Sequence, residues 1–473
     1  MTTTKNIQNK GGTFALVMQS LKGIEMDYTA GSLRRAILLL AIPMILEMCM
    51  ESVFALVDLF FVGHLPHSEN TLQAVSLTET VLYIVYSVAI GVSMAATAIV
   101  ARRIGEKNRD AAAHSAIQAI WFAAAVTLVI SVTGVIFAPS ILHLMGADDR
   151  TVAMGSNYAR IDMGGSLVIM MLFLVNGIFR GAGDASMAMK SLWLANICNI
   201  ILCPLLIRGW GPIPAFGLTG ASMATTTGRG IGVCFQVYHL FRGKGIIKIR
   251  RKHASLDWPI IRSIVRIASP ATLQFLIGSC SWIVLARLVA ETGQSVASAG
   301  YQTAIRVVIF FIMPAWGLSN ATATLVGQNL GAKNIARAEQ SVLLSARYNA
   351  IFMGVVSLVF LVFPAPIISV FTNDPGVKTI AVQALRIITS GYIFYGIGMV
   401  LTNAFNGSGD TWTPTWINLF CFWIFQIPFA YVLTVYFKMG PFGSFVSIPI
   451  ANTLVTIVAY YYFKRGGWKR VAV

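Results

Sequence analysis

Across 473 residues, 56% are hydrophobic and only 11% are charged, against about 25% in an ordinary soluble domain, which excludes a water-soluble globule with a normal surface. The formal net charge of +17 would suit a nucleic-acid partner in a soluble protein. In a chain this apolar, the charge instead reports where Lys and Arg fall between hydrophobic runs, and no nucleic-acid partner is expected.

The first 35 residues are polar and basic and lack the apolar stretch of a cleavable signal, so 1–35 reads as a cytoplasmic tail. Runs of about 20 apolar residues, long enough to cross the hydrocarbon layer as helices, then recur with short breaks. Spans are predicted at 36–62, 72–101, 112–138, 155–179, 187–208, 217–241, 259–290, 298–327, 341–365, 381–405, 413–437 and 443–463. With the N-terminus inside, the inner segments hold most of the basic residues, including "RGKGIIKIRRKH" at 242–253 and "KRGGWKR" at 464–470. Both termini are therefore expected in the cytoplasm, with the chain multi-pass in the cell's inner (plasma) membrane. The basic stretch at 242–257 reads as an orientation signal and linker, or as a contact for anionic membrane lipids. Cys49, Cys198, Cys203, Cys234, Cys280 and Cys421 all fall inside predicted spans, without the spacing of a disulfide framework or a zinc site.

The chain is internally duplicated. "RRIGEKN" ends at Asn108 and "GQNLGAKN" at Asn334; "FRGAGD" ends at Asp184 and "FNGSGD" at Asp410, so both pairs are 226 residues apart. The same offset relates Asp148 to Asp374, Arg160 to Arg386, Gly91 to Gly317 and Gly217 to Gly443, while Pro43 and Pro270 match within one residue. Six spans per half give both halves the same orientation. The expected architecture is an all-α membrane protein with an N-lobe at 36–241, a basic linker at 242–257, a C-lobe at 258–465 and a C-terminal tail at 466–473. A substrate site is expected between the lobes near the bilayer midplane.

The first span carries Glu47, Glu51 and Asp58, although an ionised carboxyl inside a span costs roughly 2.5–3.5 kcal/mol on insertion scales. At about 100° per residue all three project from one narrow face, and Glu47 and Glu51 are one turn apart. Such a stripe can bind a cation or relay protons. The bland alternative is static carboxyls, protonated or paired with Arg287 or Arg306. Asn196 and Asn199, one turn apart in the fifth span, are polar amides that need partners in lipid, and Asp58 is the partner expected. Met48 and Met44 would line an adaptable cleft or simply pack. Glu79 could face the N-lobe interior, and Asp162 with Arg160 reads as an interfacial pair. His64 and His67 have only a weak metal-ligand spacing. No nucleophile–base pairing, P-loop or nucleotide-binding domain occurs, so neither an enzyme nor an ATP-driven pump is expected, and no cofactor is required.

These motifs resemble the multidrug and toxic compound extrusion (MATE) family over nearly the whole chain, about 30–465. The matching features are "IPMILEMCMESVFALVDLFFVG", the paired Gly-x-x-Asn turns, "FRGAGD" and "FNGSGD", "NICNIILCP" and "FGLTGASMAT". The resemblance implies a twelve-helix transporter of two six-helix lobes, exporting organic cations and other amphiphiles in exchange for protons or sodium ions. One branch couples through acids on the seventh and tenth spans; here the seventh carries Gln274 and neither has an acid. The resemblance is therefore closest to the DinF-like branch, whose coupling aspartate matches Asp58. In that branch the aspartate shares a pocket with residues matching Asn199 and, most nearly, Thr225, while Cys203 stands where a second aspartate is usual, which disfavours sodium.

The sequence thus leads to a monomeric antiporter with Asp58, Asn199, Thr225, Glu51 and Glu47 as ion-coupling candidates. Glu47, Glu51, Gln274, Asn196 and Met48 are the substrate-binding candidates. Sodium coupling and a flippase for a lipid-linked precursor are the alternatives.

Overall fold

The computed structural model describes residues 13–23, 26–63, 68–212, 214–242, 245–471 and 473, with the side chains of 13, 58–60, 62–63 and 68–72 outside that description. His64 and His67 also lie outside the described residues. The described chain is helical and contains no strand. Its first half comprises α1 (Thr13–Lys22), α2 (Leu33–Gly63), α3 (Ser68–Gly105), α4 (Arg109–Leu144), α5 (Asp149–Gly164), α6 (Ser166–Ala182), α7 (Ala185–Arg208) and α8 (Leu218–Arg242). The second comprises α9 (Trp258–Gly331), α10 (Ile335–Val362), α11 (Pro364–Ser369), α12 (Pro375–Thr389), α13 (Tyr392–Ser408), α14 (Trp412–Tyr436) and α15 (Pro441–Arg465).

Among the described residues nine helices are long and apolar enough to span a bilayer, or ten when α12 and α13, bent by 54°, count as one. At 1.5 Å per residue the 74 residues of α9 would extend about 111 Å, far more than one crossing. It breaks at Gln294 (φ 59°, ψ −164°), so the loop expected between 290 and 298 is reduced to one non-helical residue. The second crossing of α9 and the 25-residue, Gly- and Thr-rich α8 bring the passes to twelve.

Two spans expected to be continuous are interrupted. The span predicted at 155–179 divides at Gly165 into α5 and α6, and the one at 381–405 divides at Gly391 into α12 and α13. Both glycines are crowded. A Cβ on Gly165 would sit 2.8 Å from Thr226, and one on Gly391 would sit 2.6 Å from Pro449. They are themselves 226 residues apart.

The duplicated motifs build matched helix starts. Asn108, Asp148 and Asp184 accept from the backbone amides of Ala111 (2.9 Å), Thr151 (2.9 Å) and Met187 (3.2 Å). Their counterparts Asn334, Asp374 and Asp410 accept from Arg337 (3.1 Å), Val377 (2.8 Å) and Thr413 (3.3 Å). Each side-chain oxygen satisfies an amide that the helix itself leaves unpaired. Gly183 (φ 88°) and Gly409 (φ 91°) end α6 and α13 in the left-handed region, which glycine adopts without steric cost.

The halves meet along α2, α3 and α9. Gly91 faces the Ala268 carbonyl and Gly317 faces the Met44 carbonyl, while Gly105 lies against the carbonyl of Gln328 and Gly331 against that of Arg102. These are reciprocal contacts about a pseudo-two-fold axis. Below Met44, the apolar face of α2 formed by Ile37, Leu40 and Ala41 is fully buried with Leu325 and Val326 of α9 and Ala338 and Val342 of α10.

Candidate functional site

A cavity of about 270 Å³ lies between the halves. Its wall takes Glu47, Met48, Glu51, Asn176 and Arg180 from the first half and Phe275, Trp316, Asn320 and Asn403 from the second. Aromatic and thioether surface suits an amphiphile's apolar body, and the amides and charges give it polar anchors.

The two glutamates face α6, α7 and α8, as their one-turn spacing requires. Glu47 is buried, and its Oε1 accepts from Asn176 Nδ2 at 3.1 Å and lies 3.5 Å from Arg180 Nη1. The Asn176 oxygen accepts in turn from Gln236 (2.7 Å) and Ser191 (3.0 Å), which fixes which end of the amide faces the carboxylate. Glu47 Oε2 has no hydrogen-bond partner. Glu51, one turn further along α2 and partly exposed, accepts from Asn196 Nδ2 at 3.1 Å and lies 3.8 Å from Arg229 Nη2. Arg229 is buried. It donates to the Tyr86 hydroxyl at 2.6 Å and lies over the Phe54 ring at 5.3 Å.

Arg180 and Arg229 are thus the glutamates' basic neighbours. Arg287 instead pairs with Glu291 at 2.7 Å on an exposed surface, and Arg306 is exposed, so neither fills the partner role considered from the sequence. Asp162 is buried and acts electrostatically on Arg229, which replaces the interfacial pair with exposed Arg160. Glu79 is exposed rather than turned into the N-lobe. Arg180 was legible only as part of the glycine turn "FRGAGD"; Arg229 had one signal, a charge inside an otherwise uncharged span.

Asp58 lies in α2, and its side chain is outside the described residues. Of the amides expected beside it, Asn196 binds Glu51 and Asn199 donates to Thr225 at 2.9 Å. Cys203 is fully buried in an apolar cluster with Val75, Tyr158 and Ala224. Met48 reaches the cavity wall; Gln274 does not, and its buried Oε1 has no hydrogen-bond partner.

The family model described as MatE matches residues 43–205 and 270–432, once in each half. The chain belongs to the MatE family. It is a multi-pass membrane transporter, and not an enzyme. It is 26% identical over 441 residues to "Probable multidrug resistance protein NorM" of Thermotoga maritima, covering 93% of this chain and 94% of that one. It is 29% identical to a protein of Shewanella oneidensis called "FAD transporter", covering 91% and 94%. A solved structure described as the outward-facing conformation of a multidrug resistance MATE family transporter of the MOP superfamily superposes with a TM-score of 0.88 at 26% identity, covering 94% of this chain and 98% of that one.

Proposed function

We propose that this MatE transporter exports organic cations or amphiphilic compounds in exchange for protons by alternating access. The observation that carries the reading is the pair of carboxyls on the cavity wall. Glu47 and Glu51 both line it, Arg180 lies 3.5 Å from the first and Arg229 3.8 Å from the second, and one oxygen of Glu47 has no hydrogen-bond partner. Such a site holds one proton or one organic cation more easily than both, and that competition is what antiport requires. The unpartnered Glu47 oxygen supports proton uptake, because protonation removes a charge that the surroundings leave uncompensated.

In the cycle, protons entering from outside neutralise Asp58 and the glutamates and release the cation. The inward-open state returns the protons and rebinds substrate. Asn199 and Thr225 complete the coupling pocket with Asp58, and Asn196 orients Glu51. One charge crossing 100 mV supplies about 2.3 kcal/mol, enough for roughly a 50-fold gradient. The proposed unit is a monomer in the plasma membrane, with cytoplasmic termini and lobes at 36–241 and 258–465 joined by the linker at 242–257.

A second reading, export of an anionic nucleotide such as FAD, is favoured by Arg180 on the cavity wall and by the name of the Shewanella oneidensis relative. Proteoliposomes loaded in turn with a cationic dye and with FAD, under a pH gradient alone and a sodium gradient alone, decide between them. Dye movement driven by the pH gradient supports the first reading. Sodium-driven movement, or movement of FAD only, overturns it.

A further inference from the structure

We propose that the segments flanking the twelve-helix body form the gate on the face they share, which the proposed orientation makes cytoplasmic. Each seats on the Gly-Asp turn of one half and is held by an arginine of the other.

On one side, the ring of buried Tyr28 covers Gly183 so closely that a Cβ there would lie 2.7 Å away, and its hydroxyl donates to the Gly183 carbonyl at 3.2 Å. Lys107 pairs with Asp27 beside it. Across the seam, Arg337 of the second half donates Nε to the Tyr28 carbonyl at 3.2 Å, Nη2 to Ala30 at 2.9 Å and Nη1 to Gly31 at 2.9 Å. A planar guanidinium can address three carbonyls within one four-residue stretch at once, and a lysine ammonium lacks that fork.

On the other side, Val473 and Val471 cover Gly409, the counterpart of Gly183. Arg102, from the first half, donates to the Val471 carbonyl. The backbone carbonyl of this same Arg102 is the one against which Gly331 packs. Its counterpart Gln328 meets Gly105 through its carbonyl and donates Nε2 to the Gly181 carbonyl at 3.0 Å. The two clasps therefore lie directly over the glycine contacts that bring α3 and α9 together. For the cavity to open on this face those contacts must part, and the clasps must release first or with them.

The test uses the full chain in lipid nanodiscs and vesicles, with hydrogen exchange as a readout independent of substrate. Arg337→Gln is expected to raise exchange at 26–31 and at the seam, 100–108 and 328–334, by about tenfold, the equivalent of one charge-assisted hydrogen bond. Arg102→Gln should do the same at 466–471 and the seam. Exchange at the opposite ends of the helices, near 145 and 372, should not change. In vesicles, KM for substrate presented on the clasped face should fall while kcat stays within about twofold, because more of the protein is already open there. Arg337→Lys should behave as Arg337→Gln. Exchange raised only at the flanking segments with a silent seam, a rise of equal size at both ends of the helices, or full rescue by lysine would each overturn the gate. Failure of the transport reading would leave the exchange result standing.

Discussion

Arg229 and Glu51 face each other at 3.8 Å inside the first half, with Tyr86 holding the guanidinium at 2.6 Å from the far side. Removing one partner of a buried pair leaves the other charge uncompensated, which costs about 3–5 kcal/mol when both are fully sequestered. Glu51 is partly exposed, so Glu51→Gln is expected to cost roughly 2–3 kcal/mol. Arg229→Gln should also destabilise, and the double substitution should lose less than the two single losses combined. Thermal unfolding in detergent measures all three. Strict additivity would mean that the pair is not coupled.

Asn176 ties Glu47 to Gln236 and Ser191, so it acts as the orienter of the deeper carboxyl. Asn176→Ala takes from Glu47 Oε1 its hydrogen-bond donor, at about 1–3 kcal/mol for the group left unsatisfied, while Gln236 and Ser191 keep the carbonyls of Leu172 and of Met187 and Ala188. The expected consequence for transport is a shifted pH profile of efflux, because the carboxyl would then exchange protons in a different setting. A profile that superimposes on the unsubstituted protein would remove Glu47 from the proton path.

How far the sequence carries is clear from this region. The offset of 226 residues paired Asn108 with Asn334 and Asp184 with Asp410, and the structure places all four at matched helix starts. The acids on α2 stood out because charge is rare in a span. Their partners did not, since which helix faces α2 is decided by packing between distant segments. Arg180 was hidden in a turn motif, and the amides of Asn176 and Gln236 lie in helices whose periodicity says nothing of their neighbours. The breaks at Gly165 and Gly391 were in principle readable, because the two glycines obey the duplication register. Their crowding against Thr226 and Pro449 was not readable.

The linker between the halves has its own pH dependence. Lys252 donates to Asp110 at 2.9 Å, and His253 Nε2 lies 3.3 Å from it. Nearby, His114 faces Asp257 at 3.3 Å and Gln118 donates to the Ser255 carbonyl at 2.7 Å. The hydrogen bond from Lys252, with help from His253, holds the Asp110 carboxyl below the ordinary carboxylate range. Asp110 therefore takes up its proton less readily in the folded protein than in the unfolded one. The stabilisation is complete above the unfolded value of about 3.9 and is lost as pH falls through the lowered folded value. At neutral pH, where the Asp110 carboxyl is ionised, Asp110→Asn should lower amide protection factors across 246–257, and equal protection in the two proteins would show that the tie does not hold the linker.

The pseudo-two-fold axis makes a paired prediction. Gly105 and Gly331 are each pressed against a carbonyl of the opposite half, that of Gln328 and that of Arg102, and a methyl at either position would overlap the carbonyl. Neither residue has a positive φ, so alanine is tolerated locally and the penalty comes only from the contact across the seam. Because backbone and not a flexible side chain is displaced, relief requires α3 and α9 to move apart, at about 1–3 kcal/mol for an overpacked site. Gly105→Ala and Gly331→Ala should therefore lower the thermal midpoint by similar amounts and raise exchange in the same two segments, 100–108 and 328–334. Gly146→Ala, at a φ of 91° with no atom within 4 Å of an added Cβ, should destabilise through backbone strain alone and leave the seam unchanged. If only one of the two seam glycines proved sensitive, the contacts would not share the closing of this face as reciprocal halves of one device.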